Sequence, residues 1–96
     1  MSCIYKLYHK KSNATLYVGK TTQSLETRLS QHRKNPCGYM MRNYVKINGS
    51  NSFNIELLEY ISPLDNIDER ETFWINELEP MFNVAKTHKS KLIARI

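Results

Sequence analysis

Five side chains in this 96-residue sequence have the types and spacing to do chemistry together. Tyr5 and Tyr17 supply two phenols, Arg28 and His32 stand four residues apart, and Glu71 is a carboxylate far along the chain. A phenol can handle a proton. A guanidinium presents a fixed donor fork that suits phosphate oxygens, and an imidazole takes or gives a proton near neutral pH. A carboxylate can hold a divalent cation. Each type also has a bland use, so the elements that position them decide.

Glu71 is the most telling residue on physical grounds. Ile67, Trp74 and Leu78 recur at the spacing of one helix face, and Glu71 falls inside that stripe. Burying an unpaired carboxylate costs several kcal/mol or forces a large pKa rise. Glu71 must therefore be paired, neutralised or bound to a cation, and an arginine partner would satisfy it as well as a metal ion. Glu69 and Arg70 fall off this face and read as solvated, as do Glu77 and Glu79.

The tyrosines need a hairpin. Residues 3–9 and 15–19 are rich in β-branched and aromatic types and read as strands, with a turn at Lys11-Ser12-Asn13 in which Asn13 suits positive φ. Side chains alternate along a strand, so both phenols share a face only if paired residue numbers sum to an even value, as with 5 opposite 17. Arg28 and His32 lie on a helix read over 24–34, with Ser24 as N-cap and Leu25 and Leu29 on its apolar face. For such a pair alone, the plain reading is a polar shoulder.

A second helix is expected to begin at Asn35-Pro36, as cap and first helical residue, and to run to about Ile47. After the break at Asn48-Gly49-Ser50-Asn51, a strand over 53–61 places Phe53, Ile55 and Leu57 on one face. A third helix is read over 65–78 with Asp65 as cap, stopped by Glu79-Pro80. Residues 81–85 read as a short extended segment, and a basic tail follows from about 86. The order is β-β-α-α-β-α: an α+β fold with a small three-stranded antiparallel or mixed sheet flanked by helices, as one domain over 1–96.

Charge is divided unevenly. Residues 1–50 hold nine Lys/Arg and one acid, +8, while residues 51–96 hold five Lys/Arg and eight acids, −3. A basic half suits a polyanion, whose neutralised phosphates release counterions, and it equally suits a solvated surface. Apolar runs fall short of a membrane span, and no long apolar leader opens the chain. The two cysteines, Cys3 and Cys37, and three scattered histidines show no zinc-finger spacing, and a reducing, intracellular setting is expected. Gly19-Lys20-Thr21 looks like the end of a phosphate-binding loop, but the glycine needed five residues earlier is Ala14. Nucleotide hydrolysis is not expected.

Taken in order, Cys3-Ile4-Tyr5, Tyr17-Val18-Gly19, Arg28 with His32, Glu71 in Glu-Arg-Glu-Thr-Phe-Trp-Ile, and Asn83 in Met-Phe-Asn resemble the motifs of the GIY-YIG nuclease family. The match spans residues 3 to about 84. It departs at Cys3, where the family has Gly, and at Val18, where it has Ile. The stretch around Glu71 looks most like the phage and intron-encoded homing endonucleases.

The resemblance implies a DNA endonuclease with one Mg²⁺ or Mn²⁺ ion on Glu71. It implies a tyrosine general base, Tyr5 first and Tyr17 second, with Arg28 on the phosphate and His32 supporting the base. Gly19, Lys20 and Asn83 would meet substrate or hold the site. DNA is the implied partner, and cutting both strands would take a homodimer or successive nicks. The homing branch carries a separate DNA-binding region after its nuclease domain. The sequence to Ile96 shows none, so tight sequence specificity is not expected. The competing reading is a non-catalytic DNA-binding or partner-binding module on the same fold.

Overall fold

A computed structural model of the chain describes residues 2–36 and 38–83. The elements are β1 (Ser2–His9), β2 (Thr15–Thr21), α1 (Leu25–Lys34), α2 (Tyr39–Asn48), β3 (Phe53–Ile61) and α3 (Ile67–Leu78). They follow the expected α+β order. The sheet is antiparallel throughout, with strand order β2-β1-β3. The Cys3 thiol is free and buried.

The hairpin register is even. Tyr5 pairs with Gly19 and Leu7 with Tyr17, so both tyrosines point to one face of the sheet. Asn13 takes φ 61° in the turn, and the His9 N–H donates to the Ala14 carbonyl at 2.9 Å. Two irregularities modify the pattern. Leu16 is the extra residue between the Leu7–Tyr17 and Tyr8–Thr15 pairs, and Leu58 is the extra residue between the Ile4–Glu59 and Tyr5–Leu57 pairs.

Each face of the sheet has its own core. Tyr5, Leu7, Leu16 and Phe53 pack under Met41 and Tyr44 of α2, with Leu25 and Leu29 of α1 against them. Ile4, Val18 and Ile61 pack under Ile75 of α3, with Ile67, Trp74, Leu78 and Leu58 around them. Full burial of each large apolar side chain contributes roughly 1.5–3 kcal/mol. The result is three layers, α1 and α2 on one side and α3 on the other. A fixed point between β3 and α3 is Glu59, whose Oε1 accepts from Trp74 Nε1 and Arg70 Nε, both at 2.9 Å. Arg70 is therefore a tether between layers rather than a solvated charge.

Two caps differ from expectation. Asn35 closes α1, its N–H donating to the Gln31 carbonyl, so it cannot open α2. The α2 helix begins after Gly38, whose φ of 84° suits a residue without Cβ. Asn66, not Asp65, caps α3 by accepting from the Asp68 and Glu69 N–H groups. Asp65 accepts instead from the Ser62 N–H. Glu79, at φ 47°, ends α3 as read.

Residues 81 and 82 form a turn rather than an extended strand, yet they still cover the outer edge of β2. The Met81 N–H donates to the Thr15 carbonyl at 3.1 Å and the Phe82 N–H to the Leu16 carbonyl at 2.7 Å. The basic tail expected from 86 lies outside the described residues.

Candidate active site

Tyr5, at the centre of the sheet, is fully buried beneath α1. Ser24 caps that helix through the Thr27 N–H, and Leu25 and Leu29 seat it on the core. This directs Arg28 and His32 onto one phenol. The Tyr5 hydroxyl lies 2.8 Å from His32 Nε2, and Arg28 Nε donates to the same oxygen at 3.1 Å. Arg28 Nη1 donates to Gln31 Oε1 at 2.9 Å, which fixes the guanidinium on its own helix. Sequence reasoning missed Gln31, although its i+3 spacing from Arg28 was the available signal.

Tyr5, Tyr17 and His32 form an aromatic triangle. Tyr5 and Tyr17 have ring centroids 6.4 Å apart, and the imidazole sits edge-on to both at 5.8 and 5.7 Å. His32 is 1% exposed, so it is core and not a polar shoulder. Burial first, and then the Arg28 cation, push its pKa down from the ordinary 6.5 to about 4. The ring is neutral at pH 7. Arg28 can only donate to the Tyr5 oxygen, and a neutral imidazole offers Nε2 either as donor or as acceptor to the same hydroxyl. With the phenol donating to Nε2 the ring proton would sit on Nδ1, a buried atom with no hydrogen-bond partner in the structure.

Gly19 is required by close approach. A Cβ there would lie 2.5 Å from the Tyr5 hydroxyl and 2.7 Å from the Tyr17 ring. Asn83 clamps the strand between these motifs. Its Oδ1 accepts from the Val18 N–H at 2.6 Å and its Nδ2 donates to the Val18 carbonyl at 2.9 Å. Both ends of its amide therefore serve the backbone beside Tyr17 and Gly19.

Glu71 comes from the opposite layer. It is 4% exposed on the face of α3 that meets the sheet, one turn before the buried Ile75. The stripe read in the sequence is thus centred on Glu71 and Ile75, with Ile67, Trp74 and Leu78 as its half-buried margins. Lys20, on the β2 face that meets α3, forms an ion pair with Asp68, a residue sequence reasoning did not single out. The Asp68 hydrogen bond, and the field of Glu71 with it, raise the Lys20 pKa.

The two layers meet at a groove of about 490 Å³ at the end of β2. It is lined by Ser2, Lys20, Thr21, Thr22, Gln23, Arg28 and Ile67. Its two charged side chains are cationic, which suits a phosphate backbone. Among the described residues no three His, Cys, Asp or Glu side chains gather into a metal cage. Of the five residues singled out in the sequence only Arg28 lines this groove; Glu71 does not, so a divalent ion on its carboxylate would draw its other ligands from water and substrate oxygens, as Mg²⁺ does, rather than from a protein cage.

Residues 1–85 match the family model of the GIY-YIG catalytic domain. The chain belongs to the GIY-YIG family. Two solved structures of the catalytic domain of the homing endonuclease I-TevI, an intron endonuclease, are similar to it. One, a mutant, is 29% identical with a TM-score of 0.66, covering 81% of this chain and 84% of that one. The other is 31% identical with a TM-score of 0.58, covering 82% and 89%. No curated protein matches the chain in sequence. A GIY-YIG catalytic domain of this kind is an endonuclease, and DNA is its substrate. No helix among the described residues is long and apolar enough to cross a membrane.

Proposed function

We propose that this GIY-YIG domain hydrolyses DNA phosphodiester bonds with Tyr5 as general base, Arg28 on the scissile phosphate and one Mg²⁺ or Mn²⁺ ion on Glu71. The observation that carries this reading is the placement of one phenol oxygen between the Arg28 guanidinium and the His32 imidazole.

A free phenol has a pKa of about 10 and is a poor base at pH 7. The surroundings of Tyr5 offer a way around this. An attacking water gives its proton to the Tyr5 oxygen while the phenol proton passes along the 2.8 Å contact to His32 Nε2. In the free protein an imidazole with a pKa of about 4 is a weak acceptor. Arg28 is the lesser cause of that depression after burial, so an incoming phosphate that pairs with Arg28 offsets that part of it. A shift of the Arg28 side chain from Tyr5 towards that phosphate would uncover the Tyr5 hydroxyl, which is buried in the free protein. Tyr17, half-buried and beside it, is the second candidate for the base.

Arg28 then meets the charge that develops on the phosphoryl oxygens, where fixed donors contribute most. Lys20, on the same groove, neutralises a neighbouring phosphate. Gly19 keeps the space in which both phenols sit, and Asn83 holds the Val18 backbone that sets Tyr17 and Gly19. The ion on Glu71 would polarise the phosphoryl group and stabilise the leaving oxygen. This activity belongs inside the cell, where the substrate is. Each chain carries one such site, so a double-strand cut takes two engagements.

The test is a supercoiled-plasmid assay with Mg²⁺, Mn²⁺ and EDTA, run beside Glu71→Ala. Nicking should require a divalent ion and vanish in the variant, while DNA binding by mobility shift persists. Full nicking by Glu71→Ala would overturn the assignment.

A further inference from the structure

We propose that Lys20 is the resident counter-charge of Glu71 in the metal-free protein, kept at its post by Asp68, and that a divalent cation reaching Glu71 must displace it. The inference rests on the reading of Glu71 as the metal residue.

The need comes from burial. Glu71 is 4% exposed, and an ionised carboxylate at that depth needs a cation or hydrogen-bond donors beside it before any metal arrives. The supply comes from topology. Lys20 pairs with Ile4 in the β1–β2 ladder and shares the face on which Ile4 and Val18 pack against α3. Its side chain reaches α3 and bonds to Asp68 Oδ1. Asp68 and Glu71 are three residues apart on that helix, so their carboxylates are neighbours on one side of it. An ammonium has three rotatable donors and can serve two carboxylates at once. The field of Glu71 contributes to holding Lys20 protonated, after the larger effect of the Asp68 hydrogen bond. Asp68 is exposed, so it can hold Lys20 without itself demanding a counter-charge.

Displacement has a consequence for substrate. A Lys20 released from Glu71 stays on the groove it lines with Arg28, where a phosphate would stand. Metal occupation and phosphate capture are thereby linked, and the coupling must be reciprocal.

Two measurements test this without reference to cleavage. The first is calorimetric titration of Mn²⁺ in the absence of DNA. Lys20→Met should bind Mn²⁺ roughly tenfold more tightly than the parent, an ordinary coupling between two sites. Lys34→Met, at the exposed end of α1, should leave the affinity unchanged. Equal affinity in Lys20→Met and the parent, or equal tightening by Lys34→Met, overturns the proposal. The second is urea unfolding in EDTA. Lys20→Met should lower the midpoint, and adding Glu71→Gln should restore most of the loss. Additive effects of the two substitutions overturn it. If Glu71→Gln leaves Mn²⁺ binding intact, the metal assignment of Glu71 fails instead, and the unfolding cycle still reports whether Lys20 and Glu71 are coupled.

Discussion

Gly19 lies directly opposite Tyr5 in the β1–β2 ladder, and the space above its Cα is filled by the Tyr5 hydroxyl and the Tyr17 ring. The glycine of the second tyrosine motif thus makes room for the tyrosine of the first. Gly19→Ala should push Tyr5 off His32 and cost about 1–3 kcal/mol of stability by overpacking. Cleavage should fall by more than the stability loss explains. Urea unfolding beside a single-turnover assay on folded protein separates the two effects.

His32 makes stability depend on pH. Its pKa is near 4 when folded and near 6.5 when unfolded, so between those values the unfolded chain binds the extra proton. The stability it confers is complete above about pH 6.5 and drains away as pH falls towards 4. The loss is roughly 3 kcal/mol, from 1.36 kcal/mol per pKa unit. Glu59, held low by Trp74 and Arg70, follows the same sign but in a lower window, below the ordinary carboxylate pKa of 4.5. Urea midpoints between pH 7 and pH 4.5 should therefore flatten in His32→Asn relative to the parent. Parallel curves would contradict the assignment.

Arg28→Lys retains the charge and loses the fork. The Nε bond to Tyr5 and the Nη1 bond to Gln31 cannot both be remade by an ammonium. Cleavage should drop by about 10²–10³-fold, the usual result of losing one transition-state donor, with little change in DNA affinity. Single-turnover rates at saturating protein, beside a binding isotherm, check this.

Asn83→Asp changes one atom. The Val18 N–H keeps its acceptor, but the Val18 carbonyl loses its donor and faces a carboxylate oxygen. Loss of a buried partner costs about 1–3 kcal/mol, more when a charge is involved. The midpoint of unfolding should fall, and cleavage with it, because Val18 sits between Tyr17 and Gly19.

How legible this was from sequence differs by residue. The Asn13 turn and the Ser24 cap were readable because each is a local rule, whereas the sequence left the hairpin register open between even and odd, and the β1–β2 pairing decides it. The burial of Glu71 was readable because helical periodicity exposes a polar residue on an apolar face. His32 was not, since beside Leu25 and Leu29 it read plainly as a polar shoulder, and only the position of α1 over Tyr5 makes it core. Asp68 and Gln31 drew no notice because their importance lies in what they reach across the fold. Asn35-Pro36 resembled a helix start, but Asn35 was already spent in closing α1. Asn83 was noticed through the family motif, but its backbone clamp depends on a return of the chain along β2 that no local pattern announces.

The strip of chain at residues 81–83 has one more consequence. From Thr15 to Val18, β2 is bonded to β1 on one side and to this strip on the other. β1 lies between β2 and β3, which leaves the outer side of β3 as the sheet's open margin among the described residues. Amide hydrogen exchange should register the difference. Protons of β1 and of the clamped part of β2 should be released only in near-global opening, and the outward-facing amides of β3 should exchange through local fraying. The hairpin that carries both phenols is then the slowest-breathing part of the sheet, and the adjustments that admit substrate fall to side chains at the groove.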